Sequence, residues 1–289
     1  MLFRSVAPGD IVVVDRNCHK SVLHSIIMTG AIPVFLTPTR NHLGIIGPIS
    51  LDEFSPANIR KKIEANPFAR EAKNKKPRIL TITQSTYDGV LYNVEMLKDT
   101  LNSSIDTLHF DEAWLPHASF HPFYKDMHAI GRGRPRPKDA LIYATHSTHK
   151  LLAGISQASQ ILVQESQTRK LDRHVFNEAY LMHTSTSPQY AIIASCDVAA
   201  QMMEPPGGTA LVEESIVEAL DFRRAMKKVD DEWGKDWWFK VWGPDVLVED
   251  GIGRADNWVI KGAGRGSKWH GFGRIEDGFN MLDPIKATI

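Results

Sequence analysis

Cysteine is nearly absent: Cys18 and Cys196 are the only two in 289 residues. So few thiols, so far apart, make neither a C-x-x-C pair nor a disulfide framework, and both are expected to be free in a reducing cytoplasm. Charge of either sign is not in excess, because 34 basic residues face 34 acidic ones. No global field then recruits nucleic acid or an anionic membrane, and any partner has to be recognised by a local site. No stretch approaches the ~18 consecutive apolar residues of a membrane span, and the first ten residues lack the apolar core of a signal peptide. A soluble, cytoplasmic protein is the expectation. Internal repeats and low-complexity tracts are missing as well.

The common ligand motifs fail too. Neither Gly262-Ala263-Gly264-Arg265-Gly266 nor Gly131-Arg132-Gly133 has the glycine spacing of a dinucleotide or Walker loop. His117 and His121 have i,i+4 spacing but lie between Pro116 and Pro122, without H-E-x-x-H or a third ligand, so no metal site is expected. The basic run Arg132-Gly133-Arg134-Pro135-Arg136-Pro137-Lys138 is broken by glycine and proline and carries no aromatic residue. It reads as a solvated connection.

What is present is enough apolar sequence, 43% hydrophobic against 24% charged, to bury a large core. Short β-branched apolar runs alternate with longer amphipathic stretches, the pattern of crossover units around a mainly parallel sheet. Strands are predicted at Ile11 to Asp15, Pro33 to Leu36, Ile79 to Thr83, Thr107 to Phe110, Leu141 to Ala144 and Gln160 to Val163. Helices are predicted at Lys20 to Met28, Pro56 to Ala65, Val94 to Leu101, Gln189 to Met203 and Leu211 to Lys228. The fold class is therefore α/β, a mainly parallel sheet flanked by helices. Past about Trp233 the texture becomes rich in tryptophan and glycine, which divides the chain into a large domain, residues 1–232, and the start of a smaller lobe, residues 233–289. The tail from Leu282 to Ile289 looks like a strand that enters a sheet and stops without partners.

Parallel crossovers put the carboxyl ends of strands on one side of the sheet, where ligands bind. Polar residues gather there: Asn17 and His19 after the first strand, Gln84 to Asp88 after the third, Asp111 and Trp114 after the fourth, Ser147, His149 and Lys150 after the fifth. A lysine in a polar loop at a strand end, framed by hydroxyls and imidazoles, is placed to form a Schiff base with a carbonyl cofactor. Asp111 alone reads as a cap or turn residue, and beside this loop equally as a carboxylate that keeps a heteroaromatic nitrogen protonated. His19 reads as a capping-region residue or as a ring lying flat on a cofactor. Residue type leaves both pairs of readings open.

Several motifs together resemble the bacterial ornithine/lysine/arginine decarboxylases. They are Asp15-Arg16-Asn17-Cys18-His19-Lys20-Ser21, Ser85-Thr86-Tyr87-Asp88-Gly89, His109-Phe110-Asp111-Glu112-Ala113-Trp114, Ser147-Thr148-His149-Lys150-Leu151-Leu152, Ser156-Gln157-Ala158-Ser159, Phe176-Asn177-Glu178-Ala179-Tyr180 and Trp269-His270-Gly271-Phe272. The resemblance spans essentially the whole chain. It implies an aspartate aminotransferase-like large domain, pyridoxal 5'-phosphate as cofactor, a basic amino acid as substrate, and a homodimer or higher oligomer with shared active sites. Position by position, it implies that Lys150 binds the cofactor aldehyde, that Asp111 pairs with the pyridine nitrogen and that His19 stacks on the ring. Ser147 and His149 would sit at the phosphate and the Schiff base, with Trp114 lining the pocket. Ser185 would reach a neighbouring subunit's phosphate. Lys150 or His149 would return a proton to Cα.

Relatives of this kind also carry an amino-terminal wing, a phosphate-cupping loop and a carboxy-terminal domain, none of which is expected in these 289 residues. Catalysis by the isolated chain therefore competes with an alternative, a truncated, catalytically inactive fragment or an interaction partner of a full-length relative. Among arginine, lysine and ornithine, the segments His109 to Trp114 and Ala144 to Ser147 lean slightly toward arginine.

Overall fold

The computed structural model describes the chain except residues 102, 132, 249–252 and 263–268. Arg132 of the basic run, and Ala263, Gly264, Arg265 and Gly266 of the glycine-rich run, lie outside the described residues. In chain order the elements are α1 (Leu2–Ser5), β1 (Ile11–Asp15), α2 (Lys20–Thr29), β2 (Ile32–Leu36), α3 (Pro56–Ala65), β3 (Ile79–Thr83), β4 (Val90–Tyr92), α4 (Val94–Leu101), β5 (Thr107–Asp111) and β6 (Leu141–His146). They continue with α5 (Thr148–Leu151), β7 (Gln160–Gln164), α6 (Arg173–Leu181), α7 (Tyr190–Met202), α8 (Gly207–Trp233), β8 (Val259–Ile260) and β9 (Asn280–Leu282).

Among the described residues, six strands form one sheet in the order β2-β1-β3-β5-β6-β7. Every pair is parallel except β6 with β7 at the edge. All five residues of β1 are buried, as a strand covered by helices on both faces requires, and this is why its sequence reads as an unbroken apolar run. Val22 and Ile26 of α2 cover one face through Val12, Val14 and Ile79. Ile59 and Ile63 of α3, with Leu97 and Leu101 of α4, cover the other through Val13, Leu80 and Leu108.

Local chemistry sets the helix ends. Ser55 caps α3 by accepting from Asn58 N, with Pro56 at the first helical position. Gly30 ends α2 in the left-handed conformation, φ 67°, which a side chain would resist. α8 overruns its predicted limits at both ends, from Gly207 to Trp233.

The tail corrects its reading. β9 is the middle strand of a three-stranded sheet, antiparallel to β4 and β8 on either side. Thr288 also bridges to Trp242, and Asp283 N donates to Gly89 O at 2.8 Å. The partners escaped notice because β4 and β8 are only three and two residues long, too short for a period to register. Met281 and Leu282 are buried in a second core with Leu91, Trp242, Trp258 and Ile260. No helix among the described residues is long and apolar enough to cross a membrane.

Candidate active site

The carboxyl ends of β1, β3, β5 and β6 open on a cavity of about 640 Å³ whose lining includes His19, Ser85, Tyr87, Asp111, Trp114, His146, Ser147 and Lys150. The strand ends converge there because the pairing is parallel and in register, Thr83 beside Asp111 and Asp111 beside Thr145. Lys150 stands on the single turn α5 rather than in a loop. Its Nζ is 4.4 Å from the centroid of the Trp114 ring, a cation–π distance. Burial lowers the pKa of this amine from the usual lysine range, against the pull of Asp111.

Asp111 ends β5. Its Oδ1 accepts from Ala113 N at 3.2 Å and from Thr145 Oγ1 at 3.4 Å. Burial raises its pKa, opposed by the Ala113 N–H, by the charges of His19 and Lys150, and by Thr145. Asp111 caps the turn after β5 and also belongs to the cavity lining. His19 is the N-cap of α2 through its Nδ1 and is also part of the cavity lining.

Ser147 and Trp114 line the cavity, whereas His149 and Ser185 are not among its lining residues. His149 turns Nδ1 to Ala158 O at 2.7 Å. Ser185 is exposed in the link between α6 and α7, where its hydroxyl accepts from Ser187 N at 3.1 Å. His117 and His121 are spent on carboxylates, 3.4 Å from Asp283 and 3.1 Å from Glu213.

The whole chain, residues 1–289, matches the model of the Orn/Lys/Arg decarboxylase major domain. The chain belongs to that family. Lysine decarboxylase LdcA of Pseudomonas aeruginosa is 54% identical over 98% of this chain and 37% of its own length. The biodegradative arginine decarboxylase of Escherichia coli is 44% identical over 97% of this chain and 39% of its own. The chain thus spans well under half the length of these relatives. The solved lysine decarboxylase A from Pseudomonas aeruginosa superimposes with a TM-score of 0.90 at 52% identity, covering 99% of this chain and 38% of that one. At 12% identity, a structure of SPT with PLP shares the fold alone, with a TM-score of 0.50 over 83% of this chain and 50% of that one.

This decarboxylase-family domain holds polar groups at the site that sequence reasoning left without a role. Lys286, in the segment after β9, donates from Nζ to Trp114 O at 2.8 Å and to Ser85 Oγ, and lies 5.6 Å from the centroid of the Trp114 ring. Burial lowers its pKa to about 8, with Asp283 opposing and Lys150 adding to the fall. Only the fold brings it behind Ser85 and Trp114 of the cavity lining, so no local signal could have marked it. Glu112, 1% exposed, accepts from Ala129 N at 2.6 Å and meets His146 Nε2 at 2.8 Å. A buried carboxylate paired with a cavity imidazole was detectable only as the residue following Asp111.

Proposed function

We propose that the chain carries the pyridoxal 5'-phosphate site of a basic amino-acid decarboxylase. The observation that carries this reading is the pairing in one cavity of a half-buried amine, Lys150, whose pKa burial lowers, with a half-buried carboxylate, Asp111. A heteroaromatic aldehyde needs these two partners, a nucleophilic amine for the aldehyde carbon and an anion for the ring nitrogen. An indole and an imidazole supply apolar and flat surfaces, and Ser147 and Thr145 supply hydroxyls, so the donor set fits the group. When bound, its protonated ring would take up the electron pair left by departing carbon dioxide.

The protein's own groups do the rest. Burial raises the neutral fraction of the Lys150 amine and makes it a better nucleophile. Asp111 would hold a proton on the ring nitrogen of the bound group, and His19 would supply a flat face for its ring. Trp114 walls off water on the side where Lys150 rests. Lys150 Nζ would return a proton to the substrate's α-carbon, a role assigned to it rather than to His149, which is not among the residues lining the cavity. The net change converts amino acid and one proton to amine and carbon dioxide.

Among basic amino acids we favour lysine, since the relative at 54% identity is a lysine decarboxylase and the arginine decarboxylase stands at 44%; this reverses the lean toward arginine. The exposed Ser185, away from this chain's own cavity, supports an assembly in which it reaches a second copy. We place the enzyme in the cytoplasm, in keeping with its two free thiols.

Titration with pyridoxal phosphate, borohydride reduction and mapping of the modified lysine tests the reading. Label on Lys150, with carbon dioxide released from lysine, is the expected result. Label on another lysine overturns the assignment. No label at all overturns cofactor binding by this chain alone and favours the inactive-fragment alternative.

A further inference from the structure

Beneath Asp111 a polar chain crosses three strands. His109 and Asp111 are two residues apart on β5, so their side chains leave the same face of the sheet. Thr81 of β3 stands in register with His109, and Thr145 of β6 in register with Asp111. The His109 ring bridges the neighbouring strands, Nδ1 3.3 Å from Thr81 Oγ1 and Nε2 3.0 Å from Thr145 Oγ1, and Thr145 Oγ1 reaches Asp111 Oδ1 at 3.4 Å.

Donor counting fixes where the hydrogens lie. An ionised carboxylate only accepts, so the single O–H of Thr145 goes to Asp111. The Thr145 oxygen must then accept from His109, which places the imidazole proton on Nε2. That leaves Nδ1 bare, to accept from the Thr81 hydroxyl. The opposite tautomer would draw that hydroxyl to Nε2 and leave Asp111 Oδ1 with Ala113 N alone. His109 is 4% exposed and burial pushes its pKa down to about 3, with the Met1 amino group adding to the effect, so the ring stays neutral. The charged and titratable groups around the chain include Asp111, Lys150, His19, Cys18 and that amino group.

We propose that His109 and Thr145 are positioning residues for Asp111: the neutral imidazole, protonated on Nε2, aims the Thr145 hydroxyl at Oδ1 and keeps the carboxylate ionised and facing the cavity. The proposal rests on the reading of Asp111 as the ring-nitrogen partner, but the arrangement exists without any cofactor. Hydroxyl and imidazole act through Asp111 and touch no reacting atom.

Two measurements on the cofactor-free protein test it. In 15N-histidine NMR, with His109 assigned by His109→Gln, the ring is expected in the Nε2–H form with no titration between about pH 5 and pH 8, the window in which an unperturbed histidine changes charge. With 13C-carboxyl aspartate, Thr145→Val is expected to raise the Asp111 titration midpoint by about one unit, a tenfold change in proton affinity, and Thr145→Ser to restore it. An Nδ1–H tautomer, a His109 that titrates in this window, or an Asp111 midpoint unmoved in Thr145→Val overturns the proposal. If Thr145→Val does not fold, Thr81→Val carries the test from the other side. With its Nδ1 partner gone, the His109 ring is expected to exchange between tautomers, and an unchanged spectrum overturns the proposal. Failure of cofactor labelling at Lys150 would sink the decarboxylase reading and leave these results standing, so the two failures are distinguishable.

Discussion

Lys150 Nζ rests 4.4 Å from the centre of the Trp114 indole, so the amine proposed to react is held by an aromatic face. A cation–π contact of about 1–2 kcal/mol corresponds to roughly five- to thirtyfold in an equilibrium constant. That contact favours the protonated amine, whereas capture needs the neutral one; what Trp114→Ala takes from the cofactor is an aromatic wall of the cavity, and it is expected to weaken capture at Lys150 by about tenfold, with Trp114→Phe, which keeps a ring face, weakening it much less. Absorbance titration with pyridoxal phosphate measures both. Equal losses in the two variants would show that the contact with the ring face is not what matters.

Lys286 meets the same indole from the protein side, and its pKa of about 8 makes stability depend on pH. Unfolded, a lysine holds its proton to about pH 10.4, so between about 8 and 10.4 the unfolded chain binds more protons than the folded one. Stability contributed by this residue rises with pH across that window. Lys286→Met removes the titration, and its stability relative to the parent is expected to fall by about 2 kcal/mol between pH 8 and pH 10. Urea midpoints at the two pH values give the difference. A constant gap between variant and parent would contradict it.

Asp15 carries the opposite sign at acid pH. Burial at the end of β1 raises its pKa to about 6, although Asn17 N and Thr83 donate hydrogen bonds to the carboxylate. In the unfolded chain the value is near 3.9, so the folded state binds the proton more tightly. Its stabilising effect is complete below about pH 4 and is lost as pH rises through about 6. Asp15→Asn cannot ionise, and its stability relative to the parent is expected to grow by about 2–3 kcal/mol from pH 4 to pH 7. Thermal melts at the two pH values test this, and parallel shifts would refute it.

The inner strands β1, β3, β5 and β6 were legible because each is a run of β-branched or apolar residues that is almost wholly buried and bounded by turns. The edge position and reversed direction of β7 were not legible, since Gln160–Gln164 reads alike in either direction. The convergence of His19, Asp111, Trp114, Ser147 and Lys150 followed from the rule that parallel strands end together. What faces the cavity did not follow: His146 and His149 are near neighbours with the same chemistry, and only the single turn of α5 decides that His146 enters the lining. Lys286 and Arg223 owe their places to contacts between distant segments, for which local pattern holds no signal.

Arg223 of α8 is the residue that fixes the tail carrying Lys286. It is 5% exposed, donates to the carbonyls of Trp242 at 2.9 Å, Lys286 at 2.8 Å and Pro284 at 3.3 Å, and stacks over Trp258 at 4.9 Å. Burial lowers its pKa to about 10, so the guanidinium keeps its charge at neutral pH. Its loss would leave three carbonyls unpaired, and Arg223→Leu is expected to cost about 3 kcal/mol or more. Lysine keeps the charge but not the planar fork that reaches several carbonyls at once, so Arg223→Lys is expected to recover less than half of that loss. Denaturant unfolding supplies the stabilities, and hydrogen exchange across residues 283–288 shows whether the tail loosens. Faster exchange there, with Lys98 and the rest of α4 still protected, is the result expected of a local clamp. Uniform loss of protection would mean that Arg223 supports the whole domain instead.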